Sequence, residues 1–191
     1  MLLKYDLRET ARYMGYKHGA LPNETVCELI DEAYNELCKV ITPKYIYKEY
    51  EFIRIEDGII IDDIEFKSKQ LLNHLKDSNT IILFGATLGV GADTLIRKYS
   101  VTDIAMTAIA QAVAGSMVEN LCDVACDELK EIIKGEHKCR FSPGYGDFHI
   151  SSQIDFFKLL PMNKQLGVSL SDGFMMTPTK TVTAFIGVTK E

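Results

Sequence analysis

The sequence predicts an α+β fold in a single domain spanning residues 1–191, with a mixed or antiparallel central sheet flanked by helices. Helical and strand patterns are interspersed along the chain without the regular alternation that a doubly wound parallel sheet requires. A chain of 191 residues has a length typical of one domain. Its 47% hydrophobic and 25% charged residues are those of a globular protein with a core, and no internal repeat or Pro- or Ser-rich linker divides it.

The first forty residues have helical spacing. Leu7–Tyr16 predicts one helix, which Gly19 and Pro22 would end. Asn23 stands where an N-cap is required, and a second helix is expected from there until Thr42-Pro43. Its apolar residues at helical spacing are Val26, Leu29, Ile30, Ala33, Leu37 and Val40.

Short apolar and β-branched runs follow. Tyr45–Ile55 predicts a strand, Glu56-Asp57-Gly58 a turn and Ile59–Ile61 a returning strand, so a β-hairpin is expected. Phe66–Leu75 is compatible with a helix. The continuous apolar run Thr80–Phe84 predicts a buried strand.

Gly85–Gly91 predicts a glycine-bearing loop, followed by a helix to about Tyr99. Phosphate-binding loops also stand between a strand and a helix. This segment lacks the Gly-Lys-Ser/Thr ending of a P-loop and does not match G-x-G-x-x-G. We interpret it as a tight strand–helix connection, with a nucleotide site or a wall of the main pocket as the alternatives.

The longest predicted element is a helix that precedes the candidate ligand loop. Ser100 and Asp103 predict a capping box at its start, and helical periodicity continues to about Lys134-Gly135. Small residues in its first half predict burial, whereas acidic residues in its second half predict a face in water. A helix near Ser152–Leu160 and a strand at Thr181–Val188 complete the chain.

Charge and composition argue against several classes of protein. With 21 Lys+Arg against 27 Asp+Glu, the net charge of −6 lacks the basic excess that nucleic-acid binding needs. The apolar stretches are shorter than the roughly 20 residues of a membrane span, and charges already occur in the first ten residues, so no signal peptide is expected. Five cysteines, an odd number, favour free thiols. We therefore expect a cytoplasmic protein that binds neither nucleic acid nor a membrane.

Chemistry concentrates in the segment Cys139–Asp147. Pro143-Gly144 favours a type II turn, and Gly144 and Gly146 leave the backbone open to a ligand. Arg140 offers a planar fork for a carboxylate, and Tyr145 offers a flat ring with a hydroxyl. A small zwitterion with a carboxylate and an aromatic base would suit this site. A plain surface turn with an incidental arginine is the simpler alternative. The sequence offers no nucleophile–base pair for catalysis and no metal-ligand cluster.

Residues 140–145, Arg-Phe-Ser-Pro-Gly-Tyr, resemble the Arg-x-x-Pro-Gly-Tyr signature of the activation domain of cobalamin-dependent methionine synthase, which binds S-adenosylmethionine. The similarity to free-standing members of this family extends over most of the chain in the expected order. The other segments that carry it are Tyr13-Met14-Gly15-Tyr16, Ile82–Asp93, Leu95–Asp103, Val118–Asp123 and Leu166–Val182.

The resemblance implies a set of ligand-binding residues. Arg140 would hold the methionine carboxylate, the backbone around Ser142 and Gly144 would contact the ligand, and Tyr145 would line the same pocket. Glu119 on the long helix would approach the ligand amino group or the cofactor, with a merely solvated glutamate as the alternative.

The resemblance also implies a role in the reductive methylation of cob(II)alamin. S-adenosylmethionine would supply the methyl group, and a flavodoxin-like or other low-potential donor would supply the electron. No Asp-x-His-x-x-Gly cobalamin motif occurs in this chain. We therefore expect the cobalamin on a partner, a methionine synthase or another corrinoid protein, and this chain as a component rather than an enzyme active alone.

A non-catalytic docking or regulatory partner of a corrinoid protein, without S-adenosylmethionine binding, is the main alternative. The family's usual Arg-Pro-Ala-Pro-Gly-Tyr-Pro is Arg-Phe-Ser-Pro-Gly-Tyr-Gly here, which predicts a less rigid loop. The large multidomain enzyme also continues with a tyrosine-bearing segment, whereas this chain stops at Glu191. A methyltransferase that acts on a small substrate without a corrinoid is a third interpretation.

Overall fold

The computed structural model describes residues 2–190, which form helices and antiparallel sheets. The helices are α1 (Leu7–Tyr13), α2 (Glu24–Val40), α3 (Lys69–His74), α4 (Val90–Thr102), α5 (Ile104–Ile132), α6 (Gln153–Leu159) and α7 (Met162–Leu166), with a 3-10 turn at Ile150–Ser152. The strands are β1 (Lys44–Tyr50), β2 (Ile53–Ile55), β3 (Gly58–Ile61), β4 (Ile64–Lys67), β5 (Thr80–Thr87), β6 (Glu136–His137), β7 (Ser169–Leu170), β8 (Met176–Thr177) and β9 (Thr181–Thr189).

The central sheet has the strand order β1-β5-β9-β6, and every neighbouring pair is antiparallel. The long strands β5 and β9 pair from Thr80 opposite Val188 to Thr87 opposite Thr181. Two smaller sheets, β2-β3-β4 and β7-β8, lie outside it. The predicted α+β class with an antiparallel central sheet is confirmed.

The two central strands are mainly apolar in their middle parts, where both faces of the sheet are buried. Ile82 and Phe84 pack with α2, α4 and α5 in one core cluster. Leu83 and Phe185 point the opposite way and pack with β3, β4, α3 and α6 in a second cluster. Successive side chains of a strand alternate between faces, so one continuous apolar run supplies both cores.

Helix α5 is the main helix of the first core. Asp103 caps its start, since the carboxylate accepts a hydrogen bond from the Met106 N–H at 3.0 Å. Ala110 and Ala114 are fully buried, and α5 contacts α1, α2 and α4. By length and composition α5 could cross a membrane, but 56% of its most apolar stretch is buried within the fold. Packing in the core accounts for this apolar character.

Two predictions about helix starts are wrong. Ser100 lies inside α4, where its hydroxyl donates to the Arg97 carbonyl at 2.7 Å, so it does not begin the long helix. Phe66 belongs to strand β4 opposite Ile59. The helix begins only after Ser68, whose side chain accepts a hydrogen bond from the Leu71 N–H.

Other predicted boundaries need correction where local geometry ends an element. Helix α1 stops at Tyr13, because Gly15 adopts a left-handed φ of +86°. The strand expected over 45–55 is divided into β1 and β2. Strand β5 continues through Thr87, so the predicted glycine loop shrinks to Leu88-Gly89. The N-cap at Asn23 and the hairpin of β2 and β3 are present as predicted.

Candidate functional site

The candidate ligand loop leaves the central sheet at Phe141. Phe141 and Phe185 exchange two backbone hydrogen bonds of 2.9 and 2.8 Å, an isolated antiparallel bridge. The next four residues form a turn in which the Tyr145 N–H donates to the Ser142 carbonyl at 3.2 Å. Gly144 has a φ of +100°, as a type II turn requires at its third residue. The turn predicted from Pro143-Gly144 is therefore present.

Asp147 fixes the far side of this loop against the start of α3. Its carboxylate accepts hydrogen bonds from the Ser68 hydroxyl at 2.5 Å, the Lys69 N–H at 2.9 Å and the Gln70 N–H at 3.3 Å. The Ser68 hydrogen bond, helped by these backbone donors, lowers the pKa of Asp147 below its ordinary value. Phe148 follows directly and is fully buried. The loop is therefore fixed at both ends.

Arg140 connects the loop to α5. Its Nη2 lies 2.7 Å from Glu119 Oε2, and its Nη1 lies 2.8 Å from Asp123 Oδ1 and 3.7 Å from Cys126 Sγ. Glu119 and Asp123 are four residues apart, which places them on one face of the helix. The Arg140 side chain is 21% exposed. Burial acts to lower the pKa of Arg140, but the hydrogen bond to Asp123 and the neighbouring thiols outweigh it and raise that pKa.

A cavity of about 690 Å³ opens beside this ion-pair network. Four of the five predicted site residues line it: Glu119, Arg140, Ser142 and Tyr145. Gly144 is outside the lining, and its N–H donates to the Phe148 carbonyl at 2.7 Å. It shapes the turn rather than offering a free amide.

Aromatic rings form one wall of the cavity. Tyr145 is 66% exposed, and its ring centroid lies 6.5 Å from that of Phe141. The ring of Phe141 stacks on that of Phe148, with 6.1 Å between the ring centroids. The His74 ring also packs on Phe141, with a centroid distance of 5.2 Å. The exposed tyrosine therefore stands on a packed aromatic base, and its ring is available to a ligand.

Sequence reasoning missed Asp123 as a member of the site. The four-residue spacing between Glu119 and Asp123 indicates that both lie on one helix face. This spacing does not predict that the face contacts Arg140. Cys122 is buried and Cys126 half-buried, and both are free thiols. Burial raises the pKa of both thiols, for Cys126 in spite of the hydrogen bond from Arg140. Within residues 2–190, no group of three or more His, Cys, Asp or Glu side chains is placed to hold a metal ion.

The glycines at the start of α4, Gly89 at its N-cap and Gly91 in its first turn, serve packing. A Cβ at Gly91 would lie 1.9 Å from the Val40 carbonyl oxygen, and one at Gly89 would lie 2.3 Å from Thr42 Oγ1. Neither glycine lines the cavity beside Arg140. The structure agrees with the interpretation of this segment as a tight strand–helix connection.

The network can recognise a ligand that carries both signs of charge. A guanidinium has five N–H donors, so Arg140 keeps donors for an incoming carboxylate beyond those used by Glu119 and Asp123. The two carboxylates can accept hydrogen bonds from a ligand ammonium. Arg140, Glu119 and Asp123 together carry one positive and two negative charges, which favours a ligand with a net positive charge.

Comparison with known families matches residues 71–191 to the model described as vitamin B12 dependent methionine synthase, activation domain. This match covers more than half of the chain and includes α5 and the candidate loop. No curated protein gives a significant match.

Among solved structures, one described as "Crystal Structure of the MetH Reactivation Domain bound to AdoHcy" is similar, with a TM-score of 0.74 and 16% sequence identity. The match covers 97% of this chain and 74% of that chain. At this identity the similarity concerns the fold.

Proposed function

Because the chain belongs to the family of vitamin B12-dependent methionine synthase activation domains, we propose that it binds S-adenosylmethionine in the cavity beside Arg140 and serves as a reactivation module. The observation that carries the proposal is the partly buried arginine, on the signature loop, between two carboxylates that face a cavity. The structural relative is described as bound to AdoHcy, which is S-adenosylmethionine without its transferable methyl group. This description supports a ligand of the same class here.

The charges of the ligand match those of the site. S-adenosylmethionine carries a carboxylate, an ammonium and a sulfonium, so its net charge is positive. In the proposed complex its carboxylate accepts hydrogen bonds from N–H groups of Arg140, and its ammonium donates to the carboxylate of Glu119. Glu119 Oε2 lies 2.7 Å from Nη2 of the same arginine. Asp123, with a side chain that is 66% exposed, adds a second negative charge to the cavity lining.

The loop supplies the remaining contacts of the proposal. Tyr145 offers an exposed ring face to a cation or to the adenine. Ser142 lines the cavity with a hydroxyl, and Gly144 maintains the turn that presents both residues.

The wider role in this proposal is the reductive methylation of cob(II)alamin on a partner methionine synthase or corrinoid protein in the cytoplasm. A flavodoxin-like or other low-potential donor supplies the electron. The cofactor carries out the cobalt chemistry, and this chain contributes by holding the methyl donor in position. The family description of a vitamin B12-dependent methionine synthase supports a corrinoid partner.

One observation favours the alternative of a docking partner without this ligand. Arg140 already makes two short ion pairs with α5, and a ligand carboxylate has to share the guanidinium with them. In that case the network is structural, and the cavity stays empty in the presence of S-adenosylmethionine.

Calorimetric titration of the purified chain with S-adenosylmethionine and S-adenosylhomocysteine tests the proposal. We expect saturable binding, and we expect Arg140→Ala to weaken it roughly 10- to 150-fold, equivalent to ~1.5–3 kcal/mol for a hydrogen bond to a charged group. Arg140→Lys keeps the charge but loses the planar fork, so an intermediate affinity is expected.

The matched control is Arg97→Ala, which removes an exposed arginine of α4 far from the loop in sequence. Its affinity should equal that of the wild type. Absence of binding to the wild type overturns the ligand assignment and leaves the docking alternative. Equal affinity in wild type and Arg140→Ala overturns the role of Arg140.

A further inference from the structure

A second cavity, of about 520 Å³, lies at the end of α1 and the loop that follows it. Four basic side chains line it: Arg8, Arg12, Lys17 and His18. Glu9 is the one acidic residue among those that line it. The cavity shares no lining residue with the one beside Arg140.

Most of this positive charge is unneutralised. Glu9 pairs with Arg12, with Oε1 3.1 Å from Nη2. Within residues 2–190, Arg8, Lys17 and His18 have no carboxylate oxygen within 4.0 Å. The whole chain has a net charge of −6, so this local excess of cations opposes the overall balance. A cavity lined by one sign of charge concentrates ligands of the opposite sign.

The backbone of the same loop is accessible. The Ala20 N–H donates to the Lys17 carbonyl at 2.9 Å and closes a turn. The N–H groups of Lys17, His18 and Gly19 donate to no other group in the described part of the chain. Gly15 and Gly19 have φ values of +86° and +81°, and an added Cβ at either would meet no atom within 4 Å. Packing therefore leaves the loop surface open, with unpaired N–H donors beside the basic side chains.

We propose that this cavity binds the phosphate group of a small phosphate monoester. Two guanidinium forks, an ammonium and free backbone N–H groups offer more donors than one carboxylate can accept, whereas a phosphate has three strong acceptor oxygens and up to two negative charges. The ring of Tyr16 stands in the wall, where it can contact the organic part of an ester. Free phosphate shares this chemistry, and the experiment separates the two sources.

The test is a titration of the full chain with inorganic phosphate and with adenosine monophosphate, followed by amide NMR at constant ionic strength. We expect saturable shifts of the His18 and Gly19 amides, which belong to the cavity lining and have no hydrogen-bond acceptor in the described part of the chain. In Arg8→Gln/Lys17→Gln the apparent dissociation constant should rise about tenfold or more, because two charge-assisted contacts are lost. Tighter binding of the monophosphate supports an ester as the ligand, and equal affinity supports the phosphate group alone.

The matched control is Arg97→Gln/Lys98→Gln, which removes the same charge from an exposed part of α4. It should bind phosphate as the wild type does. Shifts that sodium chloride reproduces overturn the site, and so does equal affinity in Arg8→Gln/Lys17→Gln.

Discussion

At the scale of single residues, two charged side chains position the candidate ligand loop. Arg140 connects its first residues to Glu119 and Asp123 of α5. Asp147 connects its last residues to Ser68 and to backbone N–H groups of α3. Hydrogen bonds to ionised groups are stronger than those between neutral groups. The loop thus has firm anchors although it lacks two of the prolines of the family signature.

We expect Asp147→Asn to lower the thermal stability at neutral pH. The pKa of Asp147 is lower in the folded protein than its ordinary value. Ionisation of this carboxyl therefore stabilises the folded state, and the full effect is present at pH values above the ordinary pKa. The stabilisation is lost as the pH falls through the depressed pKa. The melting temperatures of wild type and variant should therefore converge in acid, as followed by circular dichroism.

Asp172→Asn serves as the control, because Asp172 is exposed and its side chain makes no hydrogen bond or ion pair in the described part of the chain. Its melting temperature should follow the wild type at every pH. A difference for Asp147→Asn that stays constant from neutral to acid pH would contradict the electrostatic role of Asp147.

At the scale of elements, a close helix contact determines where α4 and α5 lie. The backbone of α4 approaches the end of α2 so closely that a Cβ at Gly91 would lie 1.9 Å from the Val40 carbonyl oxygen. Asp103 is both the C-cap of α4 and the N-cap of α5. The placement of α4 therefore constrains where α5, the helix that carries Glu119, begins. Neither residue of this contact lines the cavity, but the helix that it supports supplies one of the cavity walls.

Gly91→Ala should destabilise the fold by about 1–3 kcal/mol, since a backbone carbonyl cannot move away as a side chain can. Alanine has a higher helix propensity than glycine, so without a clash the substitution should stabilise α4. A loss of stability would therefore be due to the contact with the Val40 carbonyl. Urea unfolding measures the change in the free energy of unfolding. Gly173→Ala is the control, because the nearest atom to an added Cβ there is 3.9 Å away. Equal midpoints for the two variants would contradict this packing argument.

At the scale of the whole molecule, the candidate site lies where the two layers around the central sheet meet. Phe141 and Phe148 belong to the aromatic packing of the second core, whereas Arg140 reaches α5 of the first core. The cavity is therefore lined by both layers, which explains why no continuous segment of sequence describes it. A partner that approaches this edge of the sheet would meet α5 and the loop together.

The proposed reactivation predicts that this chain promotes methylation of a partner's cob(II)alamin. A cobalamin-loaded methionine synthase or corrinoid protein is mixed with the chain, S-adenosylmethionine and a low-potential reductant, and the visible spectrum of the cofactor is followed. We expect conversion to methylcobalamin with the wild type and with Arg97→Ala. With Arg140→Ala we expect it to be about tenfold slower or more, because the methyl donor is bound less tightly. The same rate without the chain would exclude a reactivation role.

The sequence by itself determined the elements that depend on local chemistry. Asn23 caps α2, Gly58 closes the hairpin of β2 and β3, and Gly144 supplies the left-handed residue of the ligand turn. Each follows from residues within a few positions, where capping groups and allowed φ values decide the conformation. The signature of residues 140–145 likewise predicted the family that the comparison of residues 71–191 supports.

Only the tertiary structure decided which of these local features meet. Phe66 lies in a strand because it pairs with β3 and packs on Phe185, contacts that outweigh its local helical pattern. Arg140 meets Glu119 and Asp123 from 21 and 17 residues away, and Asp147 meets Ser68 across 79 residues. Burial of both sheet faces brings these pairs together. That driving force is non-directional and depends on total apolar area, so no local pattern in the sequence records which partners it will join.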